Sequence, residues 1–228
     1  MHITRFNVPK TWRISNVKGI KWITNIIPGP HSIQNSMPIN LVLKELLNYT
    51  KTTRESRRII AEKKVLVNKK IIKEVKYPVG LFDVIEFPSA NEIYRFTFGN
   101  DKRFAVKKIK KEESNLRPCK VISKTLQNKG VMQINLDNGF NLLTDKKDIK
   151  TGDTIIINLE NKKIVKHLKF DVGSLVIITD GKYIGQTGKI KEIKPGLMGK
   201  KNVKIKVDKE EVETLGGYAF VLDDSISY

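Results

Sequence analysis

Over much of the second half of the chain, apolar and polar residues alternate with the period of a β-strand. Val131-Met132-Gln133-Ile134-Asn135-Leu136 alternates and runs into Asp137-Asn138-Gly139, which together predict a hairpin. The turn Gly152-Asp153 precedes Thr154-Ile155-Ile156-Ile157-Asn158-Leu159, and Leu175–Ile178, Lys189–Ile193, Val203–Val207 and Tyr218–Val221 read as further strands. Earlier, Tyr94-Arg95-Phe96-Thr97-Phe98 alternates before the turn Gly99-Asn100-Asp101. Only between residues 37 and 63 does the period become helical. Leu41–Leu47 predicts a short amphipathic helix started by Pro38, and Thr52-Thr53-Arg54-Glu55 is a capping box opening a second helix to about Lys63. In that helix Ile59 and Ile60 face inward. Val65-Leu66-Val67, a turn near Asn68-Lys69-Lys70 and Ile71-Ile72 then predict a hairpin, and Val84–Phe87 closes the unit as a strand.

The pattern predicts an α+β chain, mostly β. Its parts are an N-terminal arm (1–36), a small helix-pair and hairpin domain (37–88), a central β domain (89–168) and a terminal small β-barrel (169–228).

Charge changes the picture from fold towards partner. The 228 residues carry 43 Lys and Arg against 24 Asp and Glu, a net charge of +19. Such an excess repels itself and attracts polyanions, so nucleic acid is the first candidate partner. The apolar runs are of strand length, well short of the roughly 20 residues needed to cross a bilayer. No apolar stretch with a small-residue cleavage site opens the chain, so a signal peptide is not expected. The single Cys119 forms no disulfide framework and fits a reducing compartment, which suggests the cytoplasm.

The cations are unevenly placed. The arm holds Arg5, Lys10, Arg13, Lys18 and Lys21, together with His31 and both tryptophans, Trp12 and Trp22; the first carboxylate is Glu45. An exposed indole gains nothing from water, so the expectation is an extended arm that orders on a partner, its cations on phosphates and its aromatics packed or stacked. Arg54, Arg57 and Arg58 share one helix face at i, i+3 and i+4, where like charges repel. The residues after them add Lys63, Lys64, Lys69 and Lys70 with only Glu62 as a local acid. With Thr53 and Asn68 these residues make a candidate RNA or DNA surface. Lys107-Lys108 and Lys110-Lys111 are answered by Glu112 and Glu113 and read as a solvated loop.

Catalytic candidates are poor. His2, His31 and His167 are scattered, Cys119 stands alone, and Asp83 and Asp153 sit beside predicted strands where a turn role is the default. No cofactor fingerprint opens a βαβ unit, and no close Cys/His spacing suggests zinc. Neither catalysis, a metal, a cofactor nor a small-molecule substrate is expected.

The stretch "TDGKYIGQTGKI" places Gly181, Gly185 and Gly188 among Lys182, Tyr183, Gln186 and Lys189. Three glycines so close need a reason, either positive φ or close approach of another backbone. With Gly173 before it and Ile193 after it, the stretch resembles a KOW motif, the β-hairpin module of ribosomal proteins and elongation factors. That resemblance implies contacts to RNA or a protein partner from Lys182, Tyr183 and Gln186, with the glycines permitting the turn. The run "TTRESRRIIAEKKVLVNKKI" is similar to an S4-type RNA-binding domain, departing from it where Lys64 precedes Val65 in place of a common glycine and where Lys69 follows Asn68 in place of Asn-Gly.

In order, "HITRFNVPKTW", "IIPGPHSIQNSMPINLVLKELL", the S4-like unit with "KYPVGLFDVIE", a β domain, "KIVKHLKFDVG" and the KOW-like end resemble the S4e family of archaeal and eukaryotic small-subunit ribosomal proteins, archaeal in length. The resemblance implies a structural constituent of the small subunit that is a monomer within the ribosome. It would bind ribosomal RNA, meet neighbouring ribosomal proteins and support assembly and translation. The alternatives are a KOW-type transcription or RNA-binding factor and, further off, an RNA-modifying enzyme.

Overall fold

In the computed structural model, residues 2–15, 19, 21–127, 130–144, 148–196, 200–207 and 210–223 are described. The chain is mostly β and divides into two compact units, Met1–Asn115 and Leu116–Ile226. Among the described residues no helix is long and apolar enough to cross a membrane.

The first unit opens with two short antiparallel strands, β1 (His2–Thr4) and β2 (Trp22–Thr24), in the register Ile3↔Ile23 and Thr4↔Trp22. Alternation turns Ile23 into the core and leaves Trp22 outside. β3 (Ser36–Pro38) leads into α1 (Ile39–Leu41), which winds on through one π turn, Val42–Leu46. The expected amphipathic helix is here, but residues 39–43 are buried on every side, because the arm and the sheet sandwich them.

The second helix, α2 (Thr53–Ala61), carries the predicted cap. The Thr52 hydroxyl accepts from the Glu55 amide at 3.3 Å, and the Glu55 carboxylate reaches back to the Lys51 amide at 2.8 Å. Ile60 is buried and Ile59 half-buried, as the pattern requires. The hairpin follows as β4 (Leu66–Val67) and β5 (Lys70–Ile71). β6 (Pro78–Gly80) pairs with β3, and β7 (Val84–Phe87), β8 (Glu92–Phe98) and β9 (Phe104–Lys108) complete a five-stranded sheet in the order β5-β4-β7-β8-β9.

The sequence pattern assigns residues 92–108 to the central β domain, yet they pair with the hairpin strands. A single 3₁₀ turn, Pro88–Ala90, and Asn91 at φ +52° return the chain directly from β7 to β8, and consecutive strands joined so tightly stay neighbours. Phe96 and Phe104 then insert into the first unit's core, 4.8 Å apart.

The second unit holds two five-stranded antiparallel sheets. One, in the order β12-β11-β10-β13-β14, comprises β10 (Leu116–Leu126), β11 (Met132–Leu136), β12 (Asn141–Thr144), β13 (Thr154–Asn158) and β14 (Ile164–Leu168). A bulge between Val121 and Ser123 lets β10 pair with β13 through its first half and with β11 through its second. The other, in the order β18-β17-β16-β15-β19, comprises β15 (Leu175–Ile178), β16 (Thr187–Pro195), β17 (Lys201–Val207), β18 (Glu210–Leu215) and β19 (Ala219–Val221). Lys120 ties the two together. Its three ammonium protons meet the carbonyls of Gly216, Gly217 and Ala219 at 3.0, 2.8 and 2.6 Å. Burial pushes its pKa down to about 8, against the pull of Asp137.

Candidate nucleic-acid interface

Helix α2 turns Arg54, Arg57 and Arg58 to solvent, as the spacing predicts. Arg58 Nε stands 3.1 Å and Lys64 Nζ 2.6 Å from the Glu62 carboxylate, which these cations, Lys64 foremost, hold below its usual range. Glu62 thus anchors one end of a cationic face and leaves it net positive. The helix closes as a Schellman motif: the Lys63 amide donates to Ile60 O at 3.0 Å and the Lys64 amide to Ile59 O at 3.3 Å. The left-handed residue that this closure needs is Lys63, at φ +57°, one position before the Lys64 at which the sequence departs from the family pattern.

The hairpin turn puts both Asn68 (φ +50°) and Lys69 (φ +64°) in the left-handed region, the geometry that Asn-Gly ordinarily supplies. Lys69 is held there, half-buried, by Glu86 at 2.8 Å and by the Ser114 hydroxyl at 3.3 Å. Lys63, Lys64 and Lys70 are exposed around it.

Four of the residues expected to touch RNA are engaged within the fold, Thr53 and Asn68 while half-buried. Asn68 is a turn lock: its Nδ2 donates to Asp83 at 2.7 Å and its Oδ1 accepts from the Val84 amide at 3.0 Å. Thr53, half-buried, accepts from Asn40 Nδ2 at 3.3 Å. His31 lies against Asp83 at 3.1 Å with only 6% of its side chain exposed, over Gly80, where a Cβ would meet the ring at 2.5 Å. Asp83 also takes the Gly80 amide at 2.8 Å, so it collects a turn, a strand and the arm. Trp12 is 3% exposed and donates its indole N–H to Ser36 O at 2.8 Å. The arm is therefore part of the core: Trp12 and Ile23 pack with Met37 and Phe104, an arrangement the sequence hides because residues 1–35 lack periodicity. Of the other arm cations, Lys10, Arg13 and Lys21 are exposed, Arg5 is half-buried and Lys18 lies outside the described residues.

The glycine-rich stretch resolves into two uses of glycine. Gly181 and Gly185 stand at φ +93° and +81° in the turn, whereas Gly188 lies in β16. A Cβ on Gly188 would fall 2.4 Å from Lys206 O on the neighbouring strand, so its role is close approach and the expectation of a turn role there is corrected. Lys182 reaches over the Tyr183 ring, 5.3 Å from its centre, while Tyr183 packs on the sheet's core. Gln186 is half-buried and Lys189 exposed. The second unit's histidine, His167, is likewise a structural partner, 2.7 Å from Asp153, which also accepts the Lys150 and Phe170 amides at 2.8 and 3.0 Å.

A capped helix with a cationic outer face, joined through a tight hairpin to a small sheet, defines an RNA-binding protein of the S4-domain class. The S4 domain model matches residues 37–85, and the model of ribosomal family S4e matches residues 90–164. The chain is 37% identical to the small ribosomal subunit protein eS4 of Methanocella arvoryzae and 36% identical to that of Archaeoglobus fulgidus, in each case over 97% of this chain and 93% of the relative. The crystal structure of the 30S ribosomal protein S4e from Thermoplasma acidophilum superposes with a TM-score of 0.72 at 28% identity, covering 85% of this chain and 98% of that one. The chain belongs to the ribosomal S4e family.

Proposed function

We infer that the protein is a structural constituent of the small ribosomal subunit, binding ribosomal RNA as a single copy beside other ribosomal proteins in the cytoplasm. The observation that carries this reading is the exposed cationic face of α2 and its hairpin, Arg54, Arg57, Arg58, Lys63, Lys64 and Lys70, within the segment that matches the S4 domain. A-form RNA hides its base edges in a deep groove, so an exposed basic face of this kind binds phosphates and shape. Lys10 and Lys21 in the first unit and Lys182 and Lys189 in the second add further exposed cations. His31 and His167 serve the fold through Asp83 and Asp153, which supports a binding role over a catalytic one.

Density-gradient fractionation of lysate at low and moderate salt tests the reading. Co-sedimentation with the small subunit that survives moderate salt is expected. A protein that stays at the top of the gradient refutes residence in the ribosome and favours a transient KOW-type factor.

A further inference from the structure

The same end of the β1–β2 ribbon carries two exposed rings. Phe6, just after β1, is 92% exposed, and Trp22, which opens β2, is 56% exposed. Each has its own cation: Arg5 Cζ stands 5.7 Å from the Phe6 ring centre and Lys21 Nζ 5.7 Å from that of Trp22. The two pairs are joined through the backbone, since the Arg5 amide donates to Lys21 O at 3.1 Å. A shallow open cleft lined by His2 and Trp22 adjoins the indole.

Folding explains Ile3 and Ile23, which the alternation turns inward, but it gives Phe6 and Trp22 nothing to cover. The contrast with Trp12, sealed in the core on the same arm, shows that the fold can bury an indole where it needs one. Exposed rings on two hydrogen-bonded neighbouring segments mark a binding surface, and the chemistry around them selects the occupant. The first 44 residues contain no carboxylate, so the patch is rings and cations with no acid from its own segment. Every nucleobase offers a π face that stacks on an aromatic side chain, and every nucleotide brings a phosphate. A stacked base outweighs an exposed cation–π pair, and the long Arg5 and Lys21 side chains can swing from ring to phosphate as a base arrives.

We propose that Trp22 and Phe6 form a stacking platform for unpaired nucleotides of RNA, with Arg5 and Lys21 holding the flanking phosphates. The platform rests on the ribosomal RNA reading and deepens it: the α2 face takes paired, A-form phosphate and the arm takes unstacked bases.

The chain has only two tryptophans, and Trp12 is buried, so Trp22 reports on its own occupancy. The full chain is titrated with an unstructured oligoadenylate and with a blunt RNA duplex while tryptophan emission is followed. The single strand is expected to quench the red-edge emission and the duplex to leave it nearly unchanged. In Trp22→Phe, which keeps a ring and leaves only Trp12 emitting, quenching should vanish while binding persists. Phe6→Leu with Trp22→Leu keeps the apolar bulk and removes both π faces; it should weaken single-strand binding at least tenfold with the salt slope unchanged. Arg5→Ala with Lys21→Ala should lower that slope. Single-strand affinity unaltered by the leucine pair, or parent emission unaltered by the single strand, would overturn the platform. So would a blue shift on small-subunit binding with no quenching by oligonucleotide, which marks an apolar protein partner. The two readings fail separately: loss of co-sedimentation refutes the ribosomal assignment, whereas undiminished co-sedimentation with an unresponsive Trp22 refutes only the platform.

Discussion

Replacing Lys63 by glycine is expected to stabilise the protein while weakening its hold on RNA, a divergence that a lysine serving only the fold would not give. Lys63 ends α2 at φ +57°, where the Schellman closure demands a left-handed residue. A side chain with a Cβ costs about 1–2 kcal/mol in that region, and glycine gives back about 0.5–1 kcal/mol through its freer unfolded chain. The balance for Lys63→Gly is a gain of about 0.5–1 kcal/mol, which raises the melting temperature of a unit of this size by about 2–5 °C. Lys63→Ala keeps the strain and removes the same charge, so it should melt close to the parent. Thermal unfolding of the three proteins by circular dichroism, together with the salt dependence of RNA binding, reads both effects. The glycine and alanine variants should share one reduction in log–log slope, about 0.9 if Lys63 neutralises a single phosphate. Equal melting temperatures for the two variants would refute the strain argument, and an unchanged slope in both would remove Lys63 from the interface. Lys69 is the internal control. It too is left-handed, but its ammonium is held by Glu86 at 2.8 Å in a half-buried pair, so Lys69→Gly forfeits that pair and should gain no stability.

Arg54→Ala, Arg57→Ala and Arg58→Ala combined should lower the salt slope of RNA binding by about 0.9 for each phosphate these arginines neutralise, measured by filter binding at several ionic strengths, with little change in melting because the face is exposed. Trp12→Ala should destabilise the first unit by about 3–5 kcal/mol in denaturant unfolding, since it empties a core position and strands the Ser36 carbonyl; a cost below about 1 kcal/mol would contradict the arm's place in the core. Gly188→Ala should cost roughly 1–3 kcal/mol through the clash with Lys206 O, whereas the same change at Gly217, where a Cβ meets nothing within 4 Å, should be nearly silent to thermal unfolding. Lys108 first, then the Tyr49 and Tyr94 hydroxyls, hold the Glu92 carboxyl near 2, below its ordinary 4.5. Its contribution is therefore full above about pH 4.5 and fades as pH falls towards 2, and Glu92→Gln should flatten that part of the stability profile.

What is legible in the sequence is what neighbours along the chain decide. The capping box at Thr52 and Glu55, the hairpin around Asn68 and Lys69, and the strands beginning at Met132, Thr154 and Leu175 stand where the pattern puts them. What is hidden depends on partners far along the chain. His31 and Asn68 read as cationic and polar candidates for RNA until both are found on Asp83, 52 and 15 residues away.

These corrections share a direction. Trp12 and the His31 side chain are buried, and Thr53 and Asn68 are half-buried on hydrogen bonds of the fold, while the cations at Arg54, Arg57, Arg58, Lys63, Lys64 and Lys70 stay outside. Composition places an excess of charge on the chain but cannot say which polar side chains meet it, because a neutral polar group serves a buried hydrogen bond as well as it serves a ligand. A lysine or arginine is far costlier to bury unpaired, so a cation that goes inside does so with partners, as Arg95 does on Glu113. The neutral and aromatic members of a candidate site therefore have to be established from geometry. By that standard Trp22 and Phe6, exposed beside their own cations, are the aromatic residues of the arm that remain as candidates for RNA.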